Sequence, residues 1–556
     1  MRSMIARVLP AVLLALALPL AGCKETQRFF FGGPPPGTPG YVIGFLGAVI
    51  ADEPRAALEA REVLSEGGNA ADAATTLALT LAVTLPSRAG LGGGGACLAY
   101  FPPAKVPEAI MFLPAATEGA GAGRPAAVPM LLRGLLTLQA RHGTRTIANL
   151  IQPAEGLARF GVPVSTALAR DLKVVGQALT LDPGAASAFA SITGGPLTEG
   201  TTLMQPDLGT TFAEIRINGV NDLYGGALAE RLERASANAG SPITAADLAK
   251  ARATIAEPIV ISSFPGQHEE IAFLPLPADG GLAAAAAFQA LTRNQKDMTG
   301  AKAIALAIAA RYRQSGGDAK TLLSTPPGTA SLPALPASTG FVALDRKGGA
   351  VACDVTMGNL FGVGRVARGT GILLAASPKV WPPPLLAAAI AFNPQRFGFR
   401  AEVAASGQEG APLAVAAALA ETLTMPAKLK PKKKGEMIPI MTTPVPEPGR
   451  ANVVACLDGL PGAEKSCAWQ ADRRLSGLAT GGNDQEKIEM ERAELWPSLV
   501  LPALVLITRP GCFWHDTRRA PRRRDRSARR NHRRRKEAGR CHGERFLPRP
   551  PLHRRE

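Results

Sequence analysis

The segment from Ala337 to Asp345 reads Ala-Ser-Thr-Gly-Phe-Val-Ala-Leu-Asp, and a turn of Arg-Lys-Gly-Gly joins it to an apolar run from Ala350 to Thr356. Two apolar segments on either side of a short, glycine-rich turn predict a β-hairpin. A small hydroxyl residue, Ser338, begins the first strand, directly after a loop rich in proline, serine and threonine. The pattern therefore places a hydroxyl group at a strand start that becomes a chain terminus if the loop is cut there.

A cut between Ala337 and Ser338 would give this serine a free α-amine. That amine can act as the base for the hydroxyl group of the same residue. Its pKa is about 8 in the unperturbed state, which is close enough to neutrality for it to accept a proton. Thr356, at the end of the second strand, is expected to hydrogen-bond and orient this centre. The alternative interpretation is that Ser338 merely begins a strand after an uncut loop.

Histidine positions exclude other common hydrolytic sites. Only His142 and His268 lie before residue 515, and both occur in polar surroundings typical of a surface. This leaves little room for a Ser-His-Asp triad or a histidine-based metal site. Nothing in the sequence calls for a metal ion or an organic cofactor.

The formal net charge of +17 is concentrated at one end of the chain. Residues 516–556 contain 17 Lys/Arg and 5 Asp/Glu, so this segment carries +12 of the total. The remainder is close to neutral, and we expect no nucleic-acid partner for it. We interpret residues 485–556 as a basic tail that is disordered or results from a frameshift. The alternative is an arm that binds nucleic acid or acidic lipid.

The N-terminus has the features of a bacterial export signal. Residues 1–22 combine an early positive charge with an apolar run that is too short to span a membrane. The ending Leu-Ala-Gly-Cys resembles a lipobox, which predicts lipid attachment at Cys23, followed by a tether over residues 23–41. Lys24, in place of Asp, favours the outer membrane, so we expect a lipid-anchored protein of the bacterial envelope that faces the periplasm. The alternative is an ordinary secretory signal with a chance cysteine.

The cysteine pattern is not that of a disulfide framework. Cys456 and Cys467 bracket a short loop and could pair in an oxidising periplasm. Cys97 and Cys353 are expected to be buried small apolar residues.

Helical and strand periodicities alternate through the body of the chain, which predicts a mixed α/β fold. Helices are predicted at 54–64, 70–85 and 411–424, a flexible loop at 315–337 and the last strand at 451–456. The glycine run at 92–95 precedes an apolar strand. It either lets backbone amides approach a ligand or lets two chain segments pack without side chains.

Four segments of the chain resemble, in the same order, signatures of the γ-glutamyltranspeptidases, also called glutathione hydrolases. They are Ser-Glu-Gly-Gly-Asn-Ala-Ala-Asp-Ala-Ala (65–74), Ala-Gly-Leu-Gly-Gly-Gly-Gly (89–95), Ile-Thr-Ala-Ala-Asp-Leu (243–248) and Pro-Ala-Asp-Gly-Gly (277–281).

The resemblance implies a four-layer αββα sandwich of the N-terminal nucleophile hydrolase type. It also implies self-cleavage into a large part, residues 42–337, and a small part, residues 338–484, which stay associated. Two landmarks of the family, matched here by Asp345 and Thr356, both assign the nucleophile to Ser338. Thr339 then matches the second hydroxyl of the family's Thr-Thr pair. The implied substrate is a small amide, with glutathione as the family's example.

Residues that would hold the γ-glutamyl group depart from the family pattern. Leu113 stands where the family has an arginine that binds the substrate carboxylate, and Gly358 stands where it has asparagine. Ala-Ala-Ser-Pro-Lys-Val (375–380) replaces a segment that binds the substrate ammonium. Gln408 and Glu409 match the family's oxyanion loop, which normally carries two glycines. The remaining cations nearby in sequence are Arg365, Arg368 and Lys379.

Three functions therefore remain open after the sequence analysis. The first is hydrolysis or transfer of γ-glutamyl groups by a self-cleaving enzyme. The second is an acylase for another amide, like relatives that remove acyl side chains from β-lactams. The third is a catalytically inactive lipoprotein with a binding or structural role.

Overall fold

The structure, a computed structural model, describes residues 40–481 apart from 43, 119–122, 327, 329–331, 426–439, 442, 473 and 475–476. All of these residues belong to the first of two units into which the chain divides, residues 1–485. The predicted signal segment, Cys23, nearly all of the tether and the basic tail lie outside the described residues. No described helix is long and apolar enough to cross a membrane.

Two antiparallel sheets form the centre of the molecule, with strands numbered in chain order. The first sheet has the spatial order β19 (Leu478–Gly481), β1 (Gly47–Ala51), β11 (Ser338–Asp345), β12 (Ala350–Thr356), β2 (Gly94–Tyr100), β3 (Glu108–Phe112) and β8 (Thr254–Ala256). The second has the order β18 (Cys467–Gln470), β17 (Arg450–Leu460), β16 (Gly398–Ser406), β15 (Ala387–Asn393), β10 (Glu270–Phe273) and β9 (Ile259–Ser262). Short pairs are β4 (Ala115–Ala116) with β5 (Ala127–Val128), β6 (Val162–Pro163) with β7 (Thr202–Leu203), and β13 (Val366–Ala367) with β14 (Ile372–Leu373).

Helices cover the outer faces of both sheets. Those that precede β8 are α1 (Pro54–Ser65), α2 (Ala70–Thr84), α3 (Leu131–His142), α4 (Ile147–Leu150), α5 (Gln152–Phe160), α6 (Thr166–Leu179), α7 (Pro183–Phe189), α8 (Pro206–Asn218), α9 (Asp222–Gly225), α10 (Ala227–Asn238) and α11 (Ala245–Lys250). Those that follow are α12 (Asp279–Arg293), α13 (Met298–Ser315), α14 (Ala319–Ser324) and α15 (Ala411–Thr424).

Alternation of side chains along the strands produces three apolar layers. Val342 and Leu344 of β11 face the second sheet and pack against its residues, among them Ile390. Phe341 of the same strand faces the other way, into the helices around α2. The second sheet has its own helical layer, built from α12, α13 and α15. The predicted four-layer αββα sandwich is therefore confirmed.

The central hairpin is tied to the first helical layer by Asp345. Its carboxylate accepts hydrogen bonds from the backbone amides of Lys347 and Gly349 in the turn, at 2.8 and 2.9 Å. It also accepts one from the amide of Ala70, the first residue of α2, at 3.2 Å. The family landmark at Asp345 thus joins the turn to a helix that is buried along its whole length.

The glycine run packs directly against backbone. A Cβ atom on Gly93 would lie 2.4 Å from the carbonyl oxygen of Thr356, and one on Gly95 would lie 2.3 Å from that of Asp354. Such distances are shorter than real carbon–oxygen contacts, so both positions require glycine. Of the two roles left open by the sequence, the glycines serve close chain packing.

Several predicted boundaries need correction. Helix α14 lies within the segment predicted as a flexible loop at 315–337, and its N-terminus is capped by Asp318. The strand predicted at 451–456 is neither as short as expected nor the last, because β17 runs to Leu460 and β18 and β19 follow it. The hairpin and the helix at 411–424 are confirmed.

Two disulfides link directly opposed strand positions. Cys456 and Cys467 are joined across β17 and β18. Cys97 and Cys353 are joined across β2 and β12. The prediction that Cys97 and Cys353 are merely small buried residues was wrong: both are buried, but strand register places their side chains side by side.

One buried carboxyl group makes the stability of the fold depend on pH. Glu402 on β16 is fully buried between the sheets, and burial raises its pKa well above the usual range, with a further contribution from Asp345. The folded protein therefore holds a proton that the unfolded chain releases as the pH rises, so stability is lost with rising pH until the folded-state pKa is passed.

We expect Glu402→Gln to remove this loss. The free energy of unfolding of the natural protein should fall, relative to the variant, by up to about 1.4 kcal/mol per pH unit above the ordinary glutamate pKa. Urea unfolding between pH 5 and 8 measures this difference. The exposed Glu464→Gln is the matched control and should leave the pH dependence unchanged. An equal slope for Glu402→Gln and the natural protein would contradict the burial of an ionisable group here.

Candidate active site

Ser338 and Thr356 face each other across the central hairpin. They form a directly opposed pair at the open end of β11 and β12, and both are almost fully buried. Their positions in the two strands match those of Val342 and Ala352, so both side chains point between the sheets. The hairpin register therefore brings these two hydroxyl residues together.

Thr356 binds the carbonyl group that precedes Ser338. Its Oγ1 donates a hydrogen bond to the carbonyl oxygen of Ala337 at 2.9 Å, and it accepts one from the amide of Gly358 at 2.9 Å. A donor fixed on this oxygen would stabilise the negative charge that develops there when a nucleophile attacks the carbonyl carbon. The hydrogen bond therefore places a donor on the carbonyl oxygen of the peptide bond between Ala337 and Ser338.

Asp354 is a site residue that the sequence analysis missed. Ser338 Oγ donates to Asp354 Oδ2 at 3.3 Å, and the same oxygen accepts from the backbone amide of Ala387, on β15, at 2.9 Å. Burial raises the pKa of Asp354 well above its usual range, and the two hydrogen bonds lower it in part. The signal in the sequence that could have identified Asp354 is its position as the acidic residue in an otherwise mostly apolar strand.

On the opposite face of β11, Thr339 joins a second buried network. Its Oγ1 donates to Asp52 Oδ2 at 2.9 Å. The side-chain amide of Asn452 donates to Asp52 Oδ1 at 3.0 Å and to the carbonyl oxygen of Gly340 at 2.8 Å. These bonds hold the start of β11 between β1 and β17, which fixes the position of Ser338.

A buried cation lies close to the backbone of Ser338. Arg88 makes a two-pronged ion pair with Asp171, with both N–O distances at 2.8 Å, and its third nitrogen lies 3.5 Å from the carbonyl oxygen of Ser338. Burial lowers the pKa of Arg88, but the bonds to Asp171 and the charges of Asp52 and Asp354 raise it by more. The net pKa is therefore above the usual value, and the guanidinium stays charged.

An apolar cavity of about 210 Å³ opens beside Thr356. Leu113 and Gly358, which stand where the family has arginine and asparagine, both line it, as does Trp381. No charged side chain lies among its described lining residues. The described lining residues are Leu113, Pro114, Pro277, Ala278, Thr356, Gly358, Ala376, Pro378, Trp381, Pro382, Pro383, Pro384 and Leu386.

The cations considered as replacements for the family's arginine do not line this cavity. Lys379 Nζ donates to the carbonyl oxygen of Thr117 at 2.6 Å. Arg365 binds the carbonyl oxygen of Ala239, and with Arg368 it lines a separate cavity. Arg365 also lines a third cavity, which shares Trp381 with the apolar cavity. The idea that these three residues substitute for the missing arginine is therefore not supported by their positions.

The predicted oxyanion loop lies next to the segment that leads to Ser338. Gln408 Nε2 donates to the carbonyl oxygen of Leu335 at 2.7 Å, while Glu409 pairs with Lys302 at 3.5 Å. Gln408 has a left-handed backbone with φ of +53°, in a short 3₁₀ turn directly after β16. Neither side chain lines the apolar cavity, and a role of their amides in binding an oxyanion stays a prediction.

The described residues include no candidate metal site. In the part of the chain that the structure describes, no three His, Cys, Asp or Glu side chains lie close enough to hold a metal ion.

Comparison of the whole fold gives a close structural likeness. A crystal structure of a cephalosporin acylase from Bacillus halodurans superposes with a TM-score of 0.63 at 18% sequence identity, over 79% of this chain and 96% of the acylase. At this identity the likeness establishes the fold alone, the four-layer αββα sandwich.

Sequence comparison identifies relatives over part of the chain. A glutathione hydrolase proenzyme of Bacillus subtilis (strain 168) is 33% identical over 265 residues, which are 43% of each protein. One from Escherichia coli (strain K12) is 29% identical over 369 residues, 56% of this chain and 63% of that protein. The acylase ACY 1 proenzyme of Pseudomonas sp. (strain SE83) is 31% identical over 263 residues, 43% of this chain and 46% of that protein. Each match spans less than two-thirds of the relative.

The family model for γ-glutamyltranspeptidase matches residues 56–322, a segment that ends before Ser338. The assignment of the nucleophile therefore depends on strand geometry and the landmarks at Asp345 and Thr356. Over residues 56–322 the chain therefore resembles the γ-glutamyltranspeptidases, and its sequence relatives include glutathione hydrolases and an acylase.

Proposed function

We propose that this protein is a self-cleaving amidohydrolase in which Ser338 is the nucleophile. The observation that carries the proposal is the 2.9 Å hydrogen bond from Thr356 Oγ1 to the carbonyl oxygen of Ala337. It places an oxyanion donor on the peptide bond that self-cleavage must break, beside the hydroxyl group that must attack it.

Ser338 Oγ is the attacking atom in self-cleavage and again in substrate turnover. Ser338 Oγ attacks the Ala337 carbonyl carbon, the C–N bond breaks, and the resulting ester is hydrolysed by water. The freed α-amine of Ser338 then accepts the hydroxyl proton when Oγ attacks a substrate amide, and it returns that proton to the leaving amine. Water or an acceptor amine completes the cycle by attacking the acyl-enzyme.

The substrate we propose carries an apolar acyl group. A γ-glutamyl group presents a carboxylate and an ammonium, and losing a charge-assisted contact to each costs on the order of 2 kcal/mol or more. Losing both weakens binding by roughly three orders of magnitude. The cavity beside Thr356 offers neither partner, whereas its proline, leucine and tryptophan side chains suit an aliphatic or aromatic acyl chain.

A second candidate substrate is the γ-glutamyl amide of glutathione. The match to the family model and the glutathione hydrolases among the relatives favour it. The apolar cavity is the observation that ranks it below an acylase.

Self-cleavage is tested by intact mass and a denaturing gel of the chain without residues 1–22. We expect two fragments that meet at Ala337 and Ser338. Cys97 precedes the cut and Cys353 follows it, so their disulfide should hold the fragments together until a reductant is added. One band without reductant and two bands with it are the expected result.

Two variants control this experiment. Ser338→Ala removes the nucleophile and should stay uncut, while Ser338→Thr keeps a hydroxyl group and should cleave. A natural chain that stays whole after long incubation, with reductant present, would reject the hydrolase proposal and favour an inactive relative of the γ-glutamyltranspeptidases.

Substrate preference is tested with p-nitroanilides. We expect kcat/KM for hexanoyl or phenylacetyl p-nitroanilide to exceed that for the γ-glutamyl compound by at least about 100-fold, given the missing charge partners. Trp381→Ala, in the cavity, should raise KM for the apolar compounds. Arg368→Ala, in the separate cavity, should not. Faster turnover of the γ-glutamyl compound would contradict an apolar acyl site.

We further propose that the protein is anchored in the bacterial envelope by a lipid on Cys23, on the periplasmic side of the outer membrane. Two disulfides in the described residues support an oxidising compartment. In a Gram-negative host, Cys23→Ser should release the protein into the soluble periplasmic fraction, and Lys24→Asp should shift it to the inner membrane. Soluble natural protein would contradict the anchor.

A further inference from the structure

Self-cleavage cannot use the base that serves the mature enzyme. Until the bond between Ala337 and Ser338 breaks, the Ser338 nitrogen is a peptide nitrogen and is not basic. A separate group must therefore accept the proton of Ser338 Oγ when this oxygen first attacks. Among the described contacts, no lysine or histidine side chain bonds to Ser338 Oγ.

Asp354 is the ionisable group in contact with that oxygen. The Oγ–Oδ2 distance is 3.3 Å, and the amide of Ala387 fixes Oδ2 from the opposite sheet at 2.9 Å. The second oxygen, Oδ1, is buried and has no hydrogen-bond partner among the described residues. Oδ2 is thus held in place by two hydrogen bonds, whereas Oδ1 is available to accept or release a proton.

Two charged groups act on this carboxyl group from neighbouring elements. Asp52, at the end of β1, raises its pKa by like-charge repulsion, in addition to burial. Arg88, between α2 and β2, carries a positive charge that interacts with Asp354. Because its proton affinity is higher than that of an ordinary carboxylate, the ionised form is a stronger base.

We propose that Asp354 is the general base of self-cleavage. The inference extends the proposed function and rests on it. As Oγ bonds to the Ala337 carbonyl carbon, its proton moves to Asp354. When the C–N bond breaks, Asp354 returns that proton to the Ser338 nitrogen, which leaves as a neutral amine. The carboxylate is regenerated and an ester joins Ala337 to Ser338 Oγ.

The test follows self-cleavage of uncut precursor, refolded at pH 5 and transferred to buffers between pH 5 and 9. Intact mass under reducing conditions gives the rate. We expect the natural chain to cleave faster as the pH rises and Asp354 ionises, and then to level off. Asp354→Asn, which preserves shape but cannot take the proton, should cleave at least about 100-fold more slowly and lose that inflection.

Glu402→Gln is the matched control, since it neutralises another buried carboxyl group in the same layer without touching Ser338. It should keep the natural rate and pH profile. A thermal melt checks that each variant is folded. If Asp354→Asn does not fold, the natural profile alone decides, because a rate that does not change with pH overturns the inference.

The outcomes separate this inference from the proposed function. A natural chain that stays whole at every pH overturns the proposed function itself. Cleavage of the natural chain, together with Asp354→Asn cleaving within about threefold of it and with the same pH profile, overturns the role of Asp354 and leaves Ser338 as nucleophile.

Discussion

The register between β11 and β12 is the constraint on which the site depends. It sets Ser338 opposite Thr356, so that the threonine hydroxyl reaches the carbonyl of Ala337. Asp345 fixes the turn at one end of this hairpin, and the glycines of β2 let a third strand pack against its backbone. A slip of one residue would turn Ser338 towards the helices and separate the two hydroxyl groups.

Burial then gives the site its chemical character. The described polar side chains around Ser338 are buried or nearly so, and water therefore does not compete for their hydrogen bonds. In this setting a carboxyl group such as Asp354 holds its proton more tightly, and a buried cation such as Arg88 needs Asp171 beside it. The same apolar surroundings extend into the cavity beside Thr356, which is why we propose a substrate with an apolar acyl chain and not a zwitterion.

Local patterns in the sequence predicted the hairpin and a mixed α/β fold, because strand and helix periodicity determine them. The four-layer sandwich and the roles of Ser338 and Thr356 were predicted from the family resemblance instead. The local patterns did not predict β15 and β16, which are rich in alanine, a residue that is uncommon in strands. Asp354 and the disulfide between Cys97 and Cys353 also escaped, since both depend on contacts between distant segments. From the sequence, only the loss of charged substrate-binding residues could be predicted, for example at Leu113. The apolar cavity itself is formed by residues from distant segments, which only the fold brings together.

Covalent trapping of the nucleophile tests the central claim most directly. The mature protein is treated in parallel with an apolar acyl fluorophosphonate and a γ-glutamyl diazoketone, and the modified residue is located by peptide mass spectrometry. The account predicts rapid labelling by the apolar probe at Ser338, at the N-terminus of the small fragment, and little labelling by the γ-glutamyl probe. A label on another residue, or faster modification by the γ-glutamyl probe, would contradict it.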